Sequence, residues 1–194
     1  AKIIREQSTK MKNLVNDLNL ASKLEYNMQP IDPKPVNLVA AARQSVVDFI
    51  NLGMDEKYPI EWNTDEALTA CVINGDRQLL QRAIGNLITN SQTHNPEGCT
   101  ISVCVEKSDA EYRITVEDNG AGLTEEKLEK LRTTPHYMMS DSGTAEPRHG
   151  LGLLIVKQIV SAHSGTVSFD HGKNGGFAVT LAFPVSGGLE NGAP

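Results

Sequence analysis

The stretch Asp76–Asn95, DRQLLQRAIGNLITNSQTHN, constrains the fold more than any other. Leu79, Leu80, Ala83, Ile84, Leu87 and Ile88 recur at three- and four-residue steps, so a helix with one buried face is predicted. Asp76 is its predicted N-cap, since a carboxylate there can accept hydrogen bonds from the free N–H groups of the first turn. Pro96 closes the segment. The same helix sets Asn86, Asn90 and His94 four residues apart, which stacks them in one column. Taken alone, that column is as readily a solvated stripe as a set of groups presented to a ligand.

Bulk properties narrow the class. The 194 residues are 39% hydrophobic and 22% charged, an ordinary globular composition for one or two domains. A net charge of −6 argues against a nucleic-acid-binding surface. Cys71, Cys99 and Cys104 form no CxxC pair and fit reduced, buried thiols of a cytoplasmic protein better than a disulfide framework or a zinc site. No apolar run approaches the roughly 18 residues of a membrane span, and no signal peptide is visible. The chain opens inside a helical pattern, so it is expected to be a piece of something longer.

Residues 3–28 carry apolar side chains at Ile4, Met11, Leu14, Val15, Leu18, Ala21, Leu24 and Met28, close to a heptad stripe. A long helix seeking a partner helix is predicted, rather than one packed on its own domain. The reason is the connector Pro30–Pro35, PIDPKP, whose three prolines make it stiff and mark a domain boundary. A second helix is predicted over Leu38–Leu52, with short strands at Pro59–Trp62 and Ala70–Asn74. Cys99–Lys107 and Glu111–Glu117 alternate in the period-two manner of half-buried strands and are joined by a turn at Ser108–Ala110.

The second of these strands runs into Asp118-Asn119-Gly120-Ala121-Gly122, which alone is a weak motif because Asn and Gly are ordinary turn formers. A short helix capped by Thr124 follows, and then the irregular run TTPHYMMSDSGTAEPRH, long enough to suggest a functional lid or a mobile segment. Gly150-Leu151-Gly152-Leu153 leads into a helix over Leu154–His163, with Gly165 as its predicted left-handed cap. Two glycines opening a helix make either an anion site or a place of tight helix packing. Strands at Gly165–Asp170 and Phe177–Phe183 flank the turn HGKNGG, and the glycine-rich end is expected to be disordered.

In this order the motifs resemble the catalytic ATP-binding domain of two-component sensor histidine kinases, within the gyrase/chaperone/kinase/mismatch-repair ATPase superfamily. NLITNSQTHN is similar to the family's N box, DNGAG to its G1 box and HGLGL to its G2 box, and GGFAVTLAFP to its closing strand. The resemblance covers roughly residues 36–185. Residues 3–28 resemble the second helix of the dimerisation and phosphoacceptor hairpin. The domains implied are 1–29 (part of that hairpin), 30–185 (the catalytic domain) and 186–194 (the tail). The fold implied is the α/β (α+β) two-layer sandwich of the Bergerat type, a mixed sheet covered on one face by three helices.

The resemblance also implies cofactors and site residues. ATP and Mg2+ are expected, with Asn90 ligating the metal, as suits a hard carboxamide oxygen. Asn86 would support metal or phosphates. It replaces the glutamate base of the hydrolytic relatives, and a carboxamide takes up no proton, so transfer to a nucleophile other than water is favoured. His94 would lie beside the nucleotide, and Asp118 would read adenine through its exocyclic amine. Gly120 and Gly122 would let the backbone approach the base. Gly150, Leu151, Gly152 and Leu153 would face the phosphates, and Arg148 would neutralise the terminal one.

Departures from the pattern are Ser91 where alanine is usual, Thr93 where a basic residue is usual, and no clear aromatic F box, with Tyr137 and Met138 as replacements. His94, His136, His149, His163 and His171 all lie in or beyond the nucleotide domain, so ATP binding without self-phosphorylation is expected of this chain. Implied partners are a second copy, through the helical hairpin, and a response regulator receiver domain. No nucleic acid and no membrane contact by this chain are expected, and the implied location is the cytoplasmic portion of a membrane-bound bacterial sensor. The main alternative is a degenerate, non-catalytic module of the same fold. An anti-sigma type serine kinase shares the boxes but leaves residues 3–28 without a place, and Asn86 disfavours a gyrase-like ATPase.

Overall fold

In the computed structural model, residues 2–26, 28–53, 56–134 and 151–185 are described. The order is α1 (Lys2–Glu25), β1 (Lys34–Asn37), α2 (Leu38–Ile50), β2 (Ile60–Trp62), β3 (Val72–Gly75) and α3 (Arg77–His94). Then come β4 (Ile101–Lys107), β5 (Glu111–Asp118), α4 (Glu125–Thr133), α5 (Leu151–Ala162), β6 (Thr166–His171) and β7 (Phe177–Pro184).

Five strands form one sheet in the order β2-β4-β5-β7-β6, and β1 pairs with β3 in a separate ribbon. The sheet is mixed, with β2 parallel to β4 and every other pair antiparallel. Register places Val103, Val116 and Val179 in one row and Val105, Ile114 and Leu181 in a second row on the same face. All of these are buried. The intervening positions Ser102, Cys104, Thr115 and Thr180 point to the other, more polar face. Over the apolar face lie α2, α3 and α5, with α3 in the middle. This is the expected sandwich of a mixed sheet and three helices. Leu80, Ile84 and Ile88 are at most 1% exposed, each contributing about 1.5–3 kcal/mol by burial.

Local chemistry sets the element ends. Asp76 caps α3 as predicted, its Oδ1 accepting from Gln78 N at 2.9 Å and Leu79 N at 3.1 Å. Its own N–H donates to His163 Nε2 at 2.9 Å, and His163 Nδ1 lies 2.7 Å from Ile159 O. The ring proton therefore sits on Nδ1, and the imidazole ties the end of α5 to the start of α3. Asn37 caps α2 through Oδ1 and Val39 N at 3.0 Å, and Thr124 caps α4.

Three expectations change. The proline connector ends in a strand, β1, where Pro35 faces Asn74. A proline without an N–H is tolerated there because the ribbon has only two strands. Helix α5 starts at Leu151 rather than Leu154, and its left-handed residue is Ser164 (φ 58°) rather than Gly165. Gly165 N donates to Val160 O at 2.9 Å and Ser164 N to Ser161 O at 2.9 Å, a Schellman end with serine at the left-handed position. Glycine follows for a different reason: a Cβ on Gly165 would stand 2.7 Å from Ala182 O.

The third concerns α1, whose last two turns pack on the domain after all. Leu20, Ala21 and Leu24 are buried, the helix lies against α5, and Asp17 pairs with Arg82 of α3. At 100° per residue, Leu20 and Leu24 lie nearly opposite Met11, Val15 and Leu18, which are 68%, 53% and 62% exposed. The near-heptad pattern thus merges two faces, one docked and one open.

Candidate functional site

The site grows out of the end of β5 and the face of α3 beside it. Asn86, Asn90 and His94 stand half-buried in their column. Asn86 Nδ2 reaches Gly152 O at 3.5 Å, the outer limit of a hydrogen bond, so the column touches the first turn of α5. Asp118, the last residue of β5, is only 4% exposed. Asn90, His94, Asp118, Gly122 and Phe177 line one cavity of about 20 Å³. The carboxamide column and the loop motif, 24 residues apart from His94 to Asp118 in sequence, thus share one space.

The loop after β5 is held by side chains and by glycines. Asp118 Oδ1 accepts from Gly120 N at 3.0 Å. Asn119 Oδ1 accepts from Thr100 N at 2.8 Å, and Asn119 N donates to Thr100 O at 3.2 Å. A Cβ on Gly120 would lie 1.8 Å from Asn95 Oδ1, and one on Gly122 (φ +64°) 2.1 Å from Gly175 O. The first demand on both glycines is therefore close packing within the protein. Gly176 belongs to the same contact, since its Cβ would sit 1.7 Å from Asp118 O.

At the start of α5, a Cβ on Gly152 would meet no atom within 4 Å. Tight helix packing is therefore not what this glycine serves among the described residues. Leu153 is 3% exposed and buried in the core, so only its backbone can face a ligand. Arg148, Gly150, Tyr137 and Met138 lie outside the described residues. Ser91 is buried, and Thr93 is exposed with its hydroxyl donating to Thr89 O at 2.9 Å. Burial, with the Asp118 carboxylate adding to it, pushes the Cys99 thiol up to about 11, so the sulfur beside the site is protonated at neutral pH.

Asn95 and Tyr58 were not singled out from the sequence. Asn95 Nδ2 donates to Ser91 O at 2.8 Å and its Oδ1 accepts from Ala121 N at 3.1 Å. Tyr58 OH donates to Asn95 O at 3.2 Å. The signal available was the carboxamide directly before Pro96, which reads as a helix stop until the loop is seen beside it.

The sequence profile of the family described as histidine kinase-, DNA gyrase B-, and HSP90-like ATPase matches residues 75–187, more than half of the chain. The chain belongs to that family. Similar proteins within reach are sensor histidine kinases. YvrG of Bacillus subtilis (strain 168) is 30% identical over 181 residues, which is 93% of this chain and 31% of the relative. CusS of Escherichia coli (strain K12) is 30% identical over 182 residues, 91% of this chain and 36% of the relative. The chain thus spans about a third of the length of these curated relatives.

Solved structures show the same fold. Acinetobacter baumannii histidine kinase AdeS superposes with a TM-score of 0.74 at 19% identity, covering 96% of this chain and 84% of that one. Full-length ShkA, solved in complex with AMPPNP, gives 0.76 at 20% identity and covers 94% of this chain and 37% of that one. Among the described residues, no helix is long and apolar enough to cross a membrane.

Proposed function

We propose that this chain binds ATP with Mg2+ and serves as the catalytic domain of a two-component sensor histidine kinase. The observation that carries the reading is the convergence of Asn90 and His94 of α3 with Asp118 at the end of β5. The γ-phosphoryl group would pass to a histidine on a dimerisation hairpin and then to a response regulator aspartate. In support, the relatives are sensor histidine kinases, and one fold neighbour, the histidine kinase ThkA, was solved in complex with the response regulator protein TrrA.

The donor set fits a metal held largely by the nucleotide. Among the described residues there is no cluster of three His, Cys, Asp or Glu side chains able to hold an ion. Mg2+ is commonly bound by one or two protein oxygens together with substrate phosphates, which is what the Asn90 carboxamide offers. When bound, the ion would neutralise charge developing on the phosphates.

The protein's own residues do the rest by position. Asn86 supports the phosphates and takes no proton, which disfavours attack by water. Asp118 accepts a hydrogen bond from the adenine amine, with Gly120 and Gly122 shaping its loop and His94 flanking the base. The N–H groups of Leu151, Gly152 and Leu153 face the phosphates at the positive end of α5. Arg148 and Gly150, outside the described residues, are assigned to the phosphates from the sequence alone. Catalysis then rests on orientation and charge neutralisation.

Residues 1–29 belong to the dimerisation hairpin in this reading, and residues 30–185 to the catalytic domain. The open Met11, Val15 and Leu18 face suits a second copy. The location is the cytoplasmic part of a membrane-bound sensor. Calorimetric titration of ATP with and without Mg2+ tests the reading. Magnesium-dependent binding, lost in Asn90→Ala and Asp118→Ala, is expected. A folded wild type that binds no ATP would instead favour a degenerate module.

A further inference from the structure

We propose that Asn95 is a positioning residue that fixes how the Asp118 loop presents itself to a nucleobase, an inference that rests on the ATP reading above. Asn95 is 8% exposed and works with both ends of its carboxamide. Nδ2 is spent on Ser91 O, one turn back on α3, and Oδ1 on Ala121 N in the loop. Its backbone is pinned in turn, because the Tyr58 hydroxyl donates to Asn95 O at 3.2 Å and lies 3.4 Å from Gln92 O. Gly120 fits only because it has no Cβ, which would stand 1.8 Å from Asn95 Oδ1.

The loop therefore hangs between two anchors. On the β4 side, Asn119 pairs with Thr100 through both its backbone N–H and its side chain. On the α3 side, Asn95 is the side chain that holds Ala121. Between them the Asp118 carboxylate accepts from Gly120 N. With the Ala121 bond cut, the loop keeps its Asn119 anchor and is free to rock about it, carrying Gly120 and the carboxylate it orients. Asn95 also ends the helix that carries Asn90 and His94. One carboxamide thus sets the base-reading loop against the phosphate-facing helix. Its loss is a loss of base recognition, while phosphate contacts on α3 and α5 persist.

The test uses Asn95→Ala, the conservative Asn95→Asp and the control Tyr58→Phe in the complete chain. Affinities for Mg2+-ATP, Mg2+-GTP and Mg2+-tripolyphosphate are measured by calorimetry, and exchange of the Ala121 amide by NMR without nucleotide. Asn95→Ala should weaken ATP about tenfold, the scale of one hydrogen bond, narrow the ATP/GTP ratio, leave tripolyphosphate unchanged and speed Ala121 exchange. Asn95→Asp keeps the acceptor for the Ala121 N–H but loses the donor to Ser91 O, so it should hold Ala121 more protected than Asn95→Ala does, at a lower overall stability. Tyr58→Phe, which removes the brace on the Asn95 backbone but keeps the Ala121 bond, should move the ratio less than Asn95→Ala does.

Equal weakening of ATP and tripolyphosphate in Asn95→Ala, or the same ratio change in Tyr58→Phe, would make Asn95 merely structural and overturn the proposal. Unchanged Ala121 exchange in Asn95→Ala would overturn the Asn95 role alone. A wild type that binds tripolyphosphate yet does not distinguish ATP from GTP would overturn the adenine reading itself.

Discussion

The loop after β5 and the helix α1 are both joined to α3, but by different physics. Around Asp118 and Asn119, Gly122 and Gly176 meet backbone, and Gly120 meets the Asn95 side chain, at distances that admit no additional carbon, and the side-chain oxygens of Asn95 and Asn119 accept hydrogen bonds that close the arrangement. Helix α1 is held by Leu20, Ala21 and Leu24 and by a partly exposed ion pair from Asp17 to Arg82, while Met11, Val15 and Leu18 remain open. Close packing leaves the loop one arrangement, since interiors resist even a methyl group. A docked helix with a second apolar face can exchange one covering for another. The contrast separates a rigid loop from a helix whose attachment can be redistributed.

Breaking the rigid side should have the larger effect. Gly176→Ala places its methyl against Asp118 O, a backbone atom that cannot swing aside, and should cost about 3 kcal/mol in urea unfolding. A cost near zero would mean the loop yields easily, and the contrast would fail. On the docked side, Leu24→Ala removes a side chain only 7% exposed and should cost about 2 kcal/mol, the low end for a buried leucine. No change in unfolding would show that α1 is not held by this contact.

The smallest effect concerns pH and sharpens the rigid side. Cys99 has its thiol raised to about 11, chiefly by burial. Between the ordinary thiol range, about 8.5, and that value, the unfolded chain releases the proton while the folded one keeps it. Stability should therefore fall as pH rises through this window, and Cys99→Ala should remove that part of the slope. Alkylation of native Cys99 should stay slow until the same alkaline range. Rapid labelling at neutral pH would mean that the end of α3 opens often.

Much of this was legible in the sequence because it depended on periodicity and caps. Asp76, Thr124 and the alternation in β4 and β5 each follow from one segment's own chemistry. So does the column Asn86, Asn90 and His94, which only needs a helix beneath it. What was not legible depended on distant neighbours. Pro35 reads as a breaker until β3 lies beside it as the other half of a two-stranded ribbon. Gly165 reads as a left-handed cap until β7 shows that close approach is what it serves, leaving Ser164 to take the positive φ. The heptad-like stripe of α1 reads as one face because spacing alone does not distinguish Leu24, which docks, from Leu18, which stays open. Asn95 reads as a helix stop because the Ala121 amide it accepts from lies 26 residues on.

The most direct measurement is hydrogen–deuterium exchange of the whole chain with and without Mg2+ and a non-hydrolysable ATP analogue. Protection gathered on residues 86–95, 118–123 and 151–153 is the predicted result, because the carboxamide column, the Asp118 loop and the start of α5 form one nucleotide site in this account. Protection confined to other surfaces, such as the cleft between α4 and β6 lined by Arg132 and Lys157, would contradict it, as would a folded protein that shows none.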